Sequence, residues 1–178
     1  MGRSITIYQV AKINIYALFD IVLLNSAFRR HILAIFGFGS NWGGEEVKET
    51  FFDEEKIIIG WNDETAVDVY SLVSSLRIGD IIYLKSNQPG SRTVKVKGIG
   101  IITRNFIECI KNNDYSSTDF TDWNSFFIKV KWLIKEEFII NIPENIGRLT
   151  NIRAATAYEE YLPFVQNKII EKLFEKIK

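Results

Sequence analysis

The sequence predicts an α+β domain, a small curled mixed sheet or barrel with helices packed outside it. Three observations carry this prediction. Stretches such as 94–103 (VKVKGIGIIT) and 126–134 (FFIKVKWLI) have the two-residue period or the apolar run of strands. Residues 65–76 and 159–178 have the helical period instead. The two kinds of segment do not alternate as βαβ units with crossovers. One domain spanning 1–178 is expected, because 178 residues suit a single core and 47% of them are apolar.

The elements follow in order. Ile5 to Phe28 is apolar but interrupted by Gln9, Lys12, Asn14, Asp20 and Asn25. A spanning helix needs roughly 20 predominantly apolar residues, and Lys12 and Asp20 would sit deep in lipid. A secretory signal would want a small-residue cleavage site where Arg29, Arg30 and His31 stand. A buried helix or strand pair in a cytoplasmic protein is the expectation, with residues 1–50 packed on the domain as an extension. Ile32 to Phe36 reads as a strand entering the glycine-rich turn Gly37 to Gly44, and Glu45 to Glu55 as a short helix.

Ile57 to Trp61 reads as a strand. Ala66, Val69, Tyr70, Val73 and Leu76 then recur at helical spacing, with Asp63 or Thr65 as the cap. Ile81 to Lys85 is a strand, followed by the loop NQPGSR and the strand VKVKGIGIIT. Residues 111–122 are polar and turn-rich, FFIKVKWLI alternates, and Pro143 to Thr156 is irregular. Leu162, Val165, Ile169, Leu173 and Phe174 share one side of a closing helix.

Net charge is zero, so no global field draws the chain to nucleic acid or membrane. The charge is unevenly placed. Glu45 to Asp68 holds nine acids against Lys48 and Lys56. Residues 81–107 hold no acid but carry Lys85, Arg92, Lys95, Lys97 and Arg104, and Lys129, Lys131 and Lys135 follow on the next strand. Two readings stand: a basic face for phosphate, or the solvated, aggregation-resistant face of exposed strands.

Catalytic sets are missing. A Ser/His/Asp triad would have to use His31, the one histidine. There is no Gly-Lys-Ser/Thr phosphate loop, and GFGSNWG is not followed by the βαβ unit of a dinucleotide site. One His and one Cys do not make a usual structural zinc site, and no cofactor is expected. The lone Cys109 is read as buried, without a disulfide, as in a reducing compartment. Glu46 and Lys48, with Asp20 upstream, have the Glu-x-Lys spacing of metal-dependent nucleases. That short pattern also arises by chance in a chain this rich in acids and lysines.

Four tryptophans remain as the informative residues. Trp132 lies in an alternating strand and is expected in the core. Trp42 lies in a glycine-rich turn, Trp61 at a strand end, and Trp123 in the polar stretch DFTDWNSF. Each should face a pocket or a partner, and aromatic planes at a pocket mouth hold a methylated amine or stack a flat base.

Read in order, these segments resemble the YTH and EVE branches of the PUA-like superfamily, which bind modified bases. In the YTH pattern a strand ends in a cage Trp, followed by small polar residues and a helix; IIIGWNDETAVDVYSL is similar, with Trp61 in the cage position. GDIIYLKSNQPGSRTVKVKGIGIIT is similar to the EVE pattern of Gly-Asp, apolar strand, Ser-Asn loop and Gly-Ile-Gly. DFTDWNSFFIKVKW resembles the loop with cage aromatics that precedes a strand ending Val-basic-Trp, and LTNIRAATAYEEYLPFVQNKIIEKLF the family's Thr-Asn-x-Arg turn and closing helix.

The resemblance is clearest over 57–174. It implies a PUA-like fold and a base pocket made of Trp61, Trp123 and Trp42, with Phe120 or Tyr115 as a further wall. Asn62 and Asp63, where YTH readers have Cys-Ser, would read the base edge together with Ser86 and Asn87. Lys85, Arg92, Lys95, Lys97 and Arg153 would hold flanking phosphates. The implied function is binding of a modified, methylated base flipped from DNA. The chain would be a non-enzymatic specificity module of a modification-dependent restriction or defence system, with a motor or nuclease subunit as a further partner. RNA binding by the same fold, a nuclease using Asp20, Glu46 and Lys48, and a plain interaction domain with its Trp residues buried are the alternatives.

Overall fold

The computed structural model describes residues 34–61, 65–87, 90–112, 126–146 and 157–177, all in the compact unit Ala34–Lys178. The apolar element expected at 5–28, with Asp20, and His31 lie outside the described residues. In chain order the elements are β1 (Ile35–Gly39), β2 (Asn41–Trp42), β3 (Glu45–Glu46), α1 (Lys48–Asp53), β4 (Lys56–Ile58), α2 (Val67–Ser75), β5 (Ile81–Ser86), β6 (Thr93–Arg104), α3 (Phe106–Lys111), β7 (Phe127–Ile134), β8 (Phe138–Asn141), β9 (Ala157–Glu159) and α4 (Pro163–Ile177). No helix among the described residues is long and apolar enough to cross a membrane.

The fold is α+β, as expected, with one strongly curled mixed sheet forming a half-barrel. Its order is β4-β7-β6-β5-β1-β9, and β8 pairs with the first part of β6. All pairs are antiparallel except β1 with β5, which run parallel from Ile35↔Ile81 to Gly39↔Lys85. The expectation that no crossover occurs is therefore corrected. The chain from β2 through α2 is the crossover that a parallel pair requires. β1 lies inside the sheet, between β5 and β9.

The twelve residues of β6 make the curl. Along one edge, Thr93–Val96 pair with β8 and Ile99–Arg104 with β7. Residues 135–137 break what would otherwise be one long partner strand into β7 and β8. On the other edge the register jumps from Leu84↔Gly98 to Lys85↔Val96, so Lys97 is an extra, bulged residue. A bulge bends its strand and raises the local twist.

The sheet separates two apolar clusters. Phe36, Phe38, Ile82, Leu84, Ile102, Val130 and Trp132 share one with Phe51 and Phe52 of α1, Val73 of α2 and Phe106 and Cys109 of α3. Ile35, Ile81, Tyr83, Val94, Val96, Ile99 and Ile134 share the other with Val165 and Ile169 of α4. Strands covered on both faces lose the alternation of half-buried ones, which is why 81–84 reads as a continuous run. The two expectations of burial hold: Cys109 is 3% and Trp132 is 6% exposed.

Trp132 ties sheet to helix. Its indole Nε1 donates to the Phe51 carbonyl at 2.7 Å, and its ring meets Phe52 edge-on at 5.0 Å. Gly98 keeps that corner open: a Cβ there would lie 2.7 Å from the Phe52 ring. Trp132→Phe keeps most of the apolar contact and removes the donor. We expect a loss of about 1–2 kcal/mol in urea denaturation, since the Phe51 carbonyl loses its indole partner. A melting curve unchanged from wild type would show that this bond contributes nothing net.

The Gly-Asp pair at 79–80 has a local role. Asp80 is 5% exposed, and its carboxylate accepts from the backbone N–H of Ala34 at 3.2 Å and of Arg77 at 2.8 Å. It thus fixes the entry into both β1 and β5. Burial pushes its carboxyl above the usual value, against the pull of those two N–H groups.

Candidate nucleic-acid interface

The site is built where β4 ends. The Ile59 N–H still donates to the Phe126 carbonyl at 2.9 Å, and then Gly60 turns the chain at φ +64°. Trp61 follows with 46% of its surface exposed. Its carbonyl accepts the Tyr70 hydroxyl of α2 at 2.8 Å. Tyr70 itself stands edge-on to Phe106 and Phe126, at 5.9 and 5.7 Å. An exposed indole is therefore carried on backbone pinned to an aromatic cluster.

Trp42 reaches the same place from the β2–β3 hairpin. The hairpin turns through Gly43–Gly44, a pair suited to two-residue loops, and the Gly44 N–H donates to the Asn41 side chain at 3.1 Å. The Trp42 indole is half-buried, edge-on to Phe51 at 5.8 Å, and packed so tightly on Gly60 that a Cβ there would lie 2.6 Å from its ring. Trp42 thus packs on Gly60, and Trp61 is the next residue in the chain. The Trp42 Nε1 is buried without a hydrogen-bond partner among the described residues.

Of the other expected pocket residues, Ser86 is exposed and Asn87 half-buried at the end of β5, where Asn87 accepts from the Lys85 ammonium at 3.2 Å. Asn62, Asp63, Tyr115, Phe120, Trp123 and Arg153 lie outside the described residues.

The basic residues are placed differently from the expectation. Lys85 and Lys97 are each only 5% exposed. Lys85 belongs to the α4 side of the sheet, its ammonium 4.9 Å from the centre of the Tyr158 ring. Lys97 donates to Ser40 Oγ at 3.1 Å and pairs with Glu46. Lys95 pairs with Glu137 at 2.6 Å, as does Lys48. These two cations pull the Glu137 carboxyl down to about 2. Arg92 donates to the carbonyls of Pro143, Ile146 and Glu144 at 2.7, 3.1 and 3.2 Å, fastening the chain that follows β8. Of the cations expected along β5 and β6, Lys85 and Lys97 are buried, while Lys95 stays exposed beside Glu137 and Arg92 holds carbonyls remote in sequence. Lys131, similarly, pairs with Glu55 at 2.7 Å.

Glu46 and Lys48 point to Lys97 and Glu137 respectively. No group of three metal-ligating side chains occurs among the described residues.

Sequence reasoning missed a second polar cluster, on the α4 side. Glu160 is 1% exposed and accepts from the Tyr83 hydroxyl at 2.6 Å, the Tyr158 hydroxyl at 3.1 Å and the Leu162 N–H at 2.9 Å. The two tyrosine hydroxyls lie against each other. One carboxylate thereby joins β5, β9 and the start of α4. Burial, with the neighbouring Tyr158 and Glu160, pushes the Tyr83 hydroxyl well above its usual value. No local signal in the sequence marks this cluster, since Tyr83 and Glu160 are 77 residues apart. Compared with protein-family models and with curated proteins, the chain finds no match.

Proposed function

We propose that this chain is an EVE/YTH-like, PUA-superfamily reader that binds a modified, flipped-out nucleobase and acts by binding, not by catalysis. The preferred target is methylated DNA, and the biological setting a modification-dependent restriction or defence system in the cytoplasm, working with a motor or nuclease subunit. The observation that carries the reading is the pair of indoles at Gly60: Trp61 is 46% exposed on a pinned backbone, and Trp42 packs on the glycine beside it. A methyl group makes no hydrogen bond, so it is sensed only by close apolar walls. Two indoles would supply such walls, and the exposed Trp61 would offer a π face to the base.

Substituting Trp61 tests this. Trp61→Ala removes a stacking plane and should weaken binding of a modified-base oligonucleotide by about 1–3 kcal/mol. Preference for the modified base should fall too, because the methyl loses a wall. Stability should change by less than about 0.5 kcal/mol, as for a surface position. Thermal melting and fluorescence-anisotropy titrations with DNA and RNA oligonucleotides read both effects. If Trp61→Ala unfolds the chain while surviving folded material binds as before, the indole serves packing and the reading fails.

A further inference from the structure

We infer that Lys97 is a positioning residue: from the bulge in β6 its ammonium clamps both legs of the β2–β3 hairpin and so sets Trp42 as a wall of the base pocket. This inference rests on the base-binding reading above. It begins with geometry. Lys97 is the one residue of β6 skipped between Leu84↔Gly98 and Lys85↔Val96. On the opposite edge it faces the break between the pairing with β8, which stops at Val96↔Phe138, and the pairing with β7, which starts at Ile99↔Ile134. Bulges re-aim side chains, and this one aims Lys97 inward, 5% exposed.

Its two contacts lie on the two legs of one hairpin. Ser40, fully buried, precedes β2 and accepts from Nζ at 3.1 Å. Glu46, in β3, forms the ion pair. The Val47 N–H closes the same loop on the Ser40 carbonyl at 2.8 Å. Burial alone would raise the Glu46 carboxyl, but the Lys97 ammonium and the Ser40 hydroxyl outweigh it and hold it below its usual value.

A clamp is needed there. Two strands of two residues are too short to hold themselves in water. Among the described residues the Trp42 N–H is also buried without a partner, a state that relaxes unless the surroundings over-determine it. A buried ammonium is a poor way to gain stability, since a well-packed apolar chain of similar volume does as well or better. Its advantage is direction. It fixes where Ser40 and Glu46 lie, and with them the indole on Gly60.

The test uses the full chain and reads Trp42 separately from stability. The indole N–H resonances are recorded by NMR, and that of Trp42 is assigned with Trp42→Phe. Lys97→Met should shift the Trp42 resonance and speed its hydrogen exchange by about tenfold, the scale of coupling between contacting residues, while Trp132 stays unchanged. Binding of a methylated-base oligonucleotide should weaken by a similar factor of about ten. If Lys97→Met does not fold, Glu46→Gln loosens the same grip at a partly exposed position and makes the same prediction. An unmoved Trp42 signal in the folded variant overturns the clamp. A moved signal with unchanged affinity overturns the positioning role. If the wild-type chain binds no oligonucleotide at all, the base-binding reading falls, and the clamp then stands or falls on the Trp42 signal alone.

Discussion

The stability of the wild-type chain relative to Lys85→Met should rise as the pH is taken from about 8 towards 10.5. Burial is the first cause, drawing the Lys85 ammonium down from 10.5 to about 8; Glu160 opposes the shift and Lys97 adds to it. Lys85 is 5% exposed, and its ammonium has a long hydrogen bond to Asn87 and the face of Tyr158 for company. The sign follows from proton counting. The folded chain releases this proton before the unfolded chain does, so the unfolded state binds more protons across the window and stability climbs with pH. Below about pH 8 the whole penalty is present; it falls away as the pH approaches 10.5. A fall from 10.5 to about 8 corresponds to about 3 kcal/mol.

Lys85→Met should therefore be the more stable protein at pH 7, in keeping with the replacement of other buried charges by apolar side chains. Urea unfolding of both proteins at pH 7, 9 and 10 measures the difference. Taking that difference cancels Tyr83 and the other groups the two proteins share. Two stability curves that run parallel with pH would mean that Lys85 is solvated as an ordinary surface lysine is.

Gly60→Ala should be the most damaging single-methyl change at the candidate site. At φ +64° an L side chain costs about 1–2 kcal/mol. The new Cβ would also lie 2.6 Å from the Trp42 ring, which is held between Gly60 and Phe51, and overpacking of this kind costs about 1–3 kcal/mol. Gly90→Ala is the control, because Gly90 has φ +77° with nothing within 4 Å of its added Cβ. The excess loss of Gly60→Ala over Gly90→Ala isolates the contact with Trp42. Oligonucleotide affinity should fall with Gly60→Ala and hold with Gly90→Ala. Equal losses of stability in the two variants would show that Trp42 yields freely and is no fixed wall.

Much of the fold was legible because period and length are local properties. α2, β5, β6 and β7 lie within a residue or two of their expected positions, and the core places of Trp132 and Cys109 were expected from the alternating strand around the first and the apolar strand before the second. The chain reads less well where structure depends on remote pairing. β8 and β9, of four and three residues, are too short to show a period. β1 gains its parallel partner only through a crossover of some forty residues.

α3 had a signal that went unread: Asn105 and Glu108 form a capping box, each bonding the other's backbone N–H. The lysines are the clearest case. An alternating Val-Lys-Val-Lys run predicts an exposed basic face, but a bulge turns Lys97 inward, and Lys95, which does stay exposed, pairs with Glu137. Neither is visible along the strand itself. At the site, the contact of Gly60 with Trp42 spans a hairpin and a helix, and no local signal marks it.

The most direct measurement is an affinity comparison on the wild-type chain. Fluorescence-anisotropy titrations would use DNA oligonucleotides that differ only in one methylated, hydroxymethylated or unmodified base, with RNA of the same sequence alongside. The account predicts tighter binding to a modified base than to its unmodified counterpart, in DNA above RNA, with no cleavage when magnesium is added. Equal affinity for modified and unmodified oligonucleotides, or binding to none of them, would contradict it.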